Sequence, residues 1–170
     1  MGAGEFRVIT HSEEETRAVG RVLGQLLQPG DVVALSGPLA AGKTRFVQGI
    51  ASGLGITRPV TSPTFILMNV YRAPDGCILC HVDCYRMTDP IQEGYDIGLD
   101  QQVRGEEICV IEWAERVSSL LPGDHLWVEI DFVNEGAREL RFIARGARSG
   151  ARLEALKKAI EREKRSSTSP

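Results

Sequence analysis

One loop constrains this chain more than any other feature. The stretch from Gly37 to Thr44 reads Gly-Pro-Leu-Ala-Ala-Gly-Lys-Thr and fits the pattern G-x-x-x-x-G-K-S/T at every fixed position. The apolar run 32–36 before it is typical of a buried strand, and apolar residues recur at helical spacing from Phe46 to Leu54 after it. A loop of this pattern between a strand and a helix predicts an α/β domain that binds a nucleotide.

The chemistry of such a loop follows from its backbone. Successive N–H groups form a concave nest for phosphate oxygens, and the N-terminus of the next helix adds a partial positive charge. The ammonium of Lys43 can reach the outer phosphates, and the hydroxyl of Thr44 can bind Mg²⁺. The same letters also arise by chance in an ordinary strand–helix turn, since Gly and Ala are common. The flanking strand and helix favour nucleotide binding.

Composition and charge exclude several classes of protein. With 42% hydrophobic and 25% charged residues among 170, the chain can form a packed core and suits one domain. A net charge of -3 argues against a protein that coats nucleic acid electrostatically. No apolar run approaches the ~20 residues of a membrane span, and residues 1–6 lack the pattern of an export signal. We therefore expect a cytoplasmic protein without membrane contact, whose four cysteines are thiols.

Hydrophobic patterns along the chain predict alternating strands and helices. A capping box at Ser12 and Glu15 opens a first helix that ends near Leu27, and a short helix is expected at 114–121. Further strands are expected at 6–10, 65–71, 77–83, 107–112, 126–133 and 139–144, with mixed helix and loop at 86–103. We predict a single P-loop NTPase-like α/β domain over residues 1–146, with a mixed, mostly parallel sheet flanked by helices.

The segment 147–170 differs in character from the rest. It carries seven Lys/Arg and three Asp/Glu, a net charge of +4, whereas the remainder carries -7. Leu153, Leu156 and Ile160 form a narrow apolar stripe on a charged helix, and 166–170 has the composition of a disordered tail. Two interpretations stay open: a solvated helix with a loose end, or a basic contact for RNA or an acidic partner.

Two acidic residues, Asp83 and Glu112, end apolar strands. Ligands of open α/β sheets bind beyond the carboxyl ends of the strands, so both carboxylates could face Thr44. We expect Glu112 to bind Mg²⁺, directly or through water, and Asp83 to orient or deprotonate the attacking water. Trp113, directly after Glu112, either contacts the nucleotide or a partner or packs in the core.

The polar turn at 61–64 allows two interpretations. Ser62 and Thr64 could place a hydroxyl near the γ-phosphate, as the switch loops of other phosphate-loop proteins do. The turn could equally be a plain proline turn before a strand.

A cysteine motif is treated as a false lead. Residues 77–81 match C-x-x-C-H, the haem-attachment pattern, and Cys84 adds a third thiol near His81. Haem attachment requires export, and zinc would need a fourth ligand of similar clarity. On an extended strand Cys77 and Cys80 point to opposite faces. We therefore expect buried cysteines that serve as small apolar residues.

Taken together, four motifs resemble the TsaE (YjeE) family over nearly the whole chain. They are the loop 37–44, Ser62-Pro63-Thr64-Phe65, the run 81–86 (His-Val-Asp-Cys-Tyr-Arg) and Glu112-Trp113, in that order. The resemblance implies a compact α/β ATPase with a mixed sheet. It would serve threonylcarbamoyladenosine (t6A) modification of tRNA position 37 without transferring the group itself. The implied partners are TsaD and TsaB, with tRNA brought in through that complex.

The resemblance also implies roles for individual residues. Thr44 and Glu112 would bind Mg²⁺, and Asp83 would be the catalytic carboxylate together with Lys43. The residues expected at ATP are Gly37, Pro38, Leu39, Ala40, Ala41, Gly42, Lys43, Thr44, Arg45, Glu13, Thr16 and Gly136.

The chain departs from the family pattern in three places. Ala40 stands where the family usually has Gly, and Arg45 where it usually has Thr. The closing hairpin at 136–138 is one residue longer than usual. If residue 40 has a positive φ, Ala costs about 1 kcal/mol there and weakens nucleotide binding modestly.

Two alternative functions stay open on the same fold: a small-molecule P-loop kinase and a non-catalytic nucleotide-gated adaptor. Kinases of this kind usually carry a lid with several arginines, whereas Arg86 and Arg104 bracket a polar segment without a basic cluster. No arginine is obvious beside the two carboxylates. We therefore expect slow ATP hydrolysis by the lone chain and a partner that completes the site.

Overall fold

A computed structural model describes residues 4–62 and 67–168 of the chain. Strands and helices alternate for most of its length. The elements are β1 (Glu5–Thr10), α1 (Glu13–Leu26), β2 (Val32–Ser36), α2 (Lys43–Gly53), β3 (Met68–Arg72), β4 (Ile78–Asp83), α3 (Pro90–Asp96), α4 (Leu99–Gln102), β5 (Ile108–Glu112), a 3₁₀-helix (Ala114–Leu120), β6 (Leu126–Asn134), β7 (Ala137–Ala144) and α5 (Ala147–Thr168). The strand expected at 65–71 thus begins at Met68, and residues 65 and 66 lie outside the described part.

The strands form one seven-stranded sheet in the order β1-β7-β6-β2-β5-β4-β3. β2 pairs in parallel with β5 and β6, and β4 pairs in parallel with β5. The three outer pairings are antiparallel. Five of the seven strands therefore run in the same direction, which confirms the expected mixed, mostly parallel sheet of a single α/β domain. Within the described part of the chain, no helix combines the length and apolarity that crossing a membrane requires.

Side-chain alternation on the central strands divides the core into two layers. Leu35 and Val110 belong to the layer that packs against α1, α2 and α5. Ala34 and Ile111, their sequence neighbours, belong to the layer under α4 and the 3₁₀-helix. Every residue of β2 and β5 is buried, as expected for parallel strands that are covered on both faces.

Helices α1 and α2 approach each other at backbone distance. Four glycines make this possible, because a Cβ at any of them would lie 2.1–2.4 Å from a carbonyl oxygen of the other helix. The four are Gly20 and Gly24 in α1 and Gly49 and Gly53 in α2. The helix that follows the phosphate-loop sequence is therefore fixed tightly against α1.

The start of α1 confirms the expected cap with one difference. Ser12 Oγ accepts a hydrogen bond from the N–H of Glu15 at 3.1 Å. The carboxylate of Glu15 accepts from the N–H of His11 at 3.2 Å, one residue before the cap itself. The reciprocal bond of the capping box is thus shifted by one residue, and the helix still begins at Glu13.

The C-terminal helix α5 packs on the domain. Leu153, Leu156 and Ile160 are buried in the core layer shared with α1, as the apolar stripe predicts. The carboxylate of Asp31 binds Arg148 at 2.9 Å and Arg152 at 2.7 Å. A disordered tail was predicted from residue 166, whereas helix α5 extends to Thr168.

Candidate functional site

The phosphate-loop sequence joins the carboxyl end of β2 to α2, and its backbone is left-handed at three positions. The φ angles are +140° at Gly37, +65° at Ala40 and +109° at Gly42. A Cβ at Gly37 would lie 2.1 Å from the carbonyl oxygen of Ile130, so only glycine fits there. No side chain caps α2 at Gly42, which leaves the N–H groups of its first turn available to an anion.

Lys43 is held at the centre of the loop. Its ammonium donates to the carbonyl oxygens of Gly37 at 2.6 Å and Pro38 at 2.8 Å, and it lies 4.2 Å from the ring centroid of Trp113. The residue is only 4% exposed. Burial lowers the pKa of Lys43, and the negative charges of Glu112 and nearby carboxylates oppose that shift. The loop therefore holds a desolvated cation where phosphate oxygens would bind.

Three oxygen-bearing side chains meet beside Lys43. The hydroxyl of Thr44 donates to Glu112 Oε1 at 3.1 Å, and it lies 2.9 Å from the hydroxyl of Ser62. Because the single hydroxyl proton of Thr44 goes to Glu112, Ser62 donates to Thr44. Hydroxyl and carboxylate oxygens are the ligands that Mg²⁺ prefers in proteins. The structure thus brings both predicted metal ligands, Thr44 and Glu112, into direct contact.

Asp83 ends β4 in register with Glu112 at the end of β5. Its carboxylate accepts a hydrogen bond from the N–H of Tyr85 at 2.9 Å. Burial raises the pKa of Asp83, the Tyr85 bond opposes the shift, and the negative charge of Glu112 adds to it. A carboxylate with raised proton affinity at the edge of this site is suited to act as a general base.

One cavity of about 490 Å³ gathers most of the predicted residues. Those that line it are Glu13, Leu39, Ala40, Gly42, Lys43, Thr44, Arg45, Ser62, Asp83, Glu112 and Trp113. An adjacent cavity of about 300 Å³ on the other side of the loop contains Thr16, Ala41 and Gly136, and it shares Glu13, Ala40, Gly42 and Arg45 with the first. Gly37 and Pro38 line neither of these two cavities, and their carbonyls bind Lys43 below the loop.

Three further predicted residues have contacts of their own. Thr16 is buried, and its hydroxyl lies 2.8 Å from that of Thr10. Arg45 lies 3.4 Å from the carboxylate of Glu13, across the boundary between the two cavities. Trp113 has a positive φ of +57°, and its ring packs against Tyr85 with centroids 4.8 Å apart. Trp113 therefore forms part of the cavity wall, and the proposed contact with a nucleotide or partner stays a prediction.

Only part of the proposed switch-like turn falls in the described structure. Ser62 is described and contacts Thr44, whereas Thr64 lies outside the described residues. The choice between a switch-like loop and a plain proline turn stays open.

Sequence reasoning missed several residues of the site. Arg86 and Tyr85 line the main cavity, and neither was among the predicted site residues. Arg86 shares the lining of this cavity with residues of the phosphate loop, which sequence spacing alone did not reveal. Arg138 donates to the carbonyl oxygen of Ala41 at 3.2 Å and reaches the loop from β7, 97 residues along the chain.

His81 was the most informative omission. It is fully buried, and its Nε2 lies 2.6 Å from Glu112 Oε2. In the sequence, His81 stands out only as the histidine of the C-x-x-C-H motif at residues 77–81. The signal that could have found it is its position two residues before Asp83, on the same face of β4.

The cysteines behave as the sequence analysis expected. Cys80, Cys84 and Cys109 are buried as free thiols. Burial raises the pKa of Cys84 to about 12, so its thiol is protonated at neutral pH. Cys77 packs against the core layer of α1 and α2, whereas Cys80 lies in the opposite layer, which confirms that they point to opposite faces.

These observations define a class of protein: a single α/β domain with a phosphate-loop sequence at the carboxyl edge of a mixed sheet, beside two carboxylates that end neighbouring strands. The sequence model of the family described as "Threonylcarbamoyl adenosine biosynthesis protein TsaE" matches residues 10–140. The chain belongs to the TsaE family, and the resemblance seen in its motifs is confirmed.

Individual relatives agree with this assignment. The protein named tRNA threonylcarbamoyladenosine biosynthesis protein TsaE from Bacillus subtilis is 43% identical over 140 residues, which are 82% of this chain and 85% of that protein. The protein of the same name from Treponema pallidum is 44% identical over 135 residues, or 79% of this chain and 98% of that one. The crystal structure of Bacillus subtilis YdiB superposes with a TM-score of 0.79 at 35% identity, covering 94% of this chain and 98% of that chain.

Proposed function

We propose that this chain is the ATP-binding and ATP-hydrolysing subunit of t6A modification at tRNA position 37. It acts in the cytoplasm with TsaD and TsaB, and tRNA reaches it through that complex. The names of its relatives support the pathway. One observation carries the ATPase assignment: Lys43, at the start of an uncapped helix, adjoins a Thr44–Glu112 pair that can bind Mg²⁺.

The residues present fit ATP and Mg²⁺. The free N–H groups at the start of α2 and the ammonium of Lys43 bind phosphate oxygens. Thr44 and Glu112 hold the metal, directly or through water, and Ser62 keeps the Thr44 hydroxyl in place. When bound, Mg²⁺ neutralises charge on the phosphates.

Asp83 acts as the general base for the attacking water molecule. Its position at the end of β4, beside Glu112, places it at the cavity edge, and burial raises its pKa. It accepts a proton from water as the terminal phosphate is attacked. Lys43 and the positive charges of Arg45 and Arg86 on the cavity wall stabilise the negative charge that develops.

A partner is expected to raise the turnover of the lone chain. Two large apolar side chains on the cavity rim, Leu39 and Tyr85, are 61% and 42% exposed. A partner that covers them would exclude water from the cavity and strengthen its electrostatics. Because arginines already line the cavity, the expectation of slow turnover by the lone chain depends on this exposed rim.

The test is Mg²⁺-dependent ATP hydrolysis with and without TsaD, TsaB and tRNA. Wild type is expected to turn over slowly alone and faster with partners. Asp83→Asn should retain ATP binding and lose turnover by at least about 100-fold, whereas Lys43→Ala should lose binding. Asp96→Asn, the same substitution at an exposed surface position, serves as the matched control.

Two other outcomes would redirect the assignment. ATP binding without turnover under any condition, with Asp83→Asn fully functional in t6A formation, would leave a nucleotide-gated adaptor. Turnover that depends on a small metabolite and yields its phosphorylated form would identify a kinase.

A further inference from the structure

The carboxylate of Glu112 is held from both sides. Its Oε1 accepts a hydrogen bond from the Thr44 hydroxyl at 3.1 Å. Its Oε2 lies 2.6 Å from Nε2 of His81, whose side chain is fully buried. One carboxylate thus connects the start of α2 with the middle of β4.

Strand alternation explains why His81 meets Glu112. Leu79 on β4 and Val110 on β5 both point into the core layer under α2. Two residues further along these neighbouring parallel strands, His81 and Glu112 point to the same face. The arrangement follows from strand alternation together with the register of β4 and β5, so it does not depend on a loop conformation.

The second ring nitrogen of His81 has no comparable contact. Nδ1 is buried without a hydrogen-bond partner in the described part of the protein. A carboxylate only accepts, so the His81–Glu112 contact needs the ring proton on Nε2. Buried polar atoms are usually paired, and an imidazole that merely joined two strands would be expected to satisfy both nitrogens. Among the described residues, the His81 side chain makes its one hydrogen bond to Glu112.

We infer that His81 is a positioning residue for the metal end of the site, and this inference rests on the proposed function. By donating to Oε2, it fixes the rotation of the Glu112 carboxylate and directs Oε1 to Thr44 and the Mg²⁺ position. Without this donor, Oε2 is buried and unpaired, and the carboxylate rotates or relaxes toward another partner. Hydrogen-bonding groups behind metal ligands typically contribute 10–100-fold to metal affinity.

The test compares two amides of different length. The amide nitrogen of Gln reaches about where Nε2 of His lies, whereas that of Asn stops near Nδ1. Binding of ADP is measured by calorimetry in Mg²⁺ and in EDTA for wild type, His81→Gln and His81→Asn, so that hydrolysis does not enter. Thermal unfolding and circular dichroism establish that each variant is folded.

The three proteins are expected to bind ADP within about 2-fold of one another in EDTA. In Mg²⁺, His81→Asn should lose the metal-dependent gain in affinity by roughly 10–100-fold, and His81→Gln should retain most of it. A His81→Asn variant with the Mg²⁺ dependence of wild type would overturn the inference while leaving the proposed function intact. Wild-type ADP binding that ignores Mg²⁺ would overturn the metal site itself and the inference with it.

A measurement on the wild-type protein covers the case in which His81→Asn does not fold. The chain has three histidines, so imidazole ¹⁵N spectra are simple. The variants His11→Asn, at an exposed position, and His125→Asn, at a half-buried one, assign the His81 signals by elimination. The Nε2 signal of His81 is expected to be protonated and to shift when Mg²⁺ is added to the ADP complex. A His81 signal that does not respond to Mg²⁺ would overturn the inference.

Discussion

One of the close backbone contacts between α1 and α2 leads to a quantitative prediction for Gly24→Ala. A Cβ at residue 24 would lie 2.2 Å from the carbonyl oxygen of Ile50 and 2.9 Å from its carbonyl carbon. Both atoms belong to the backbone of α2, so no side-chain rotation relieves the clash. Restoring an ordinary contact requires the helices to separate by about 1 Å, which weakens the dispersion contacts along the interface.

Two terms of opposite sign determine the size of the effect. Alanine is favoured over glycine in a helix interior by about 1 kcal/mol. Overpacking costs about 1–3 kcal/mol, and the upper end applies because backbone is displaced. We therefore expect Gly24→Ala to lower the free energy of unfolding by about 2 kcal/mol. For a domain of this size each kcal/mol shifts Tm by about 2–4 °C, which gives a fall of about 4–8 °C.

Gly150→Ala in α5 is the matched control, because a Cβ at Gly150 meets nothing within 4 Å. There only the helix-propensity gain applies, so stability should rise by about 1 kcal/mol. Urea unfolding of both variants and wild type measures the difference, with unchanged m-values as the check on two-state behaviour. A Gly24→Ala protein as stable as wild type, together with a stabilised Gly150→Ala protein, would refute the glycine-dependent packing of α1 on α2.

Three further predictions concern strain, ion pairing and burial. Ala40→Gly should raise the free energy of unfolding by about 1 kcal/mol, since the φ of +65° at Ala40 suits glycine; an unchanged or lower Tm would contradict this. Asp31→Asn should lower the free energy of unfolding, measured in urea, by about 2 kcal/mol. This is less than the roughly 3–5 kcal/mol for breaking a fully buried ion pair, because the side chain of Arg148 is half exposed. Hydrogen exchange should then show faster opening of α5. Burial raises the pKa of Asp83, so ionisation of this carboxyl opposes folding as the pH rises above its ordinary pKa of 3.8. Asp83→Asn should therefore have a higher Tm than wild type at pH 7, and the difference in Tm should vanish below about pH 4. A difference in Tm that does not change with pH would contradict the raised pKa of Asp83.

Most of the fold could be predicted from the sequence, because its strands are strongly patterned. The uniformly apolar runs at β2 and β5 indicated buried parallel strands, and both are buried at every position. Alternation at β6 and β7 indicated a closing hairpin, and the two strands pair antiparallel. The C-terminal tail was harder to predict, since its polar composition indicated disorder and helix α5 extends to Thr168.

Residues of the candidate site could be predicted only where a local sequence pattern indicates their chemistry. Lys43 and Thr44 follow from the loop pattern, and Glu112 and Asp83 from their positions at strand ends. Arg138 and Arg86 depend on distant chain segments that fold back onto the loop, and no local pattern records this. His81 was partly predictable: strand alternation gives its face on β4, whereas the register that pairs β4 with β5 could not be predicted.

Backbone strain and buried charge are both found around the main cavity. Among the described residues, only Ala40 and Trp113 combine a side chain with a positive φ, and both line the main cavity. The same cavity wall holds Lys43, whose pKa burial lowers, and Asp83, whose pKa burial raises. Strained backbone and desolvated charge both cost stability, and they persist only where the surrounding fold over-determines them. Here the glycine-packed α1–α2 pair and the fully buried strands β2 and β5 provide that rigidity, so the stability lost at the loop is offset by the packing directly behind it.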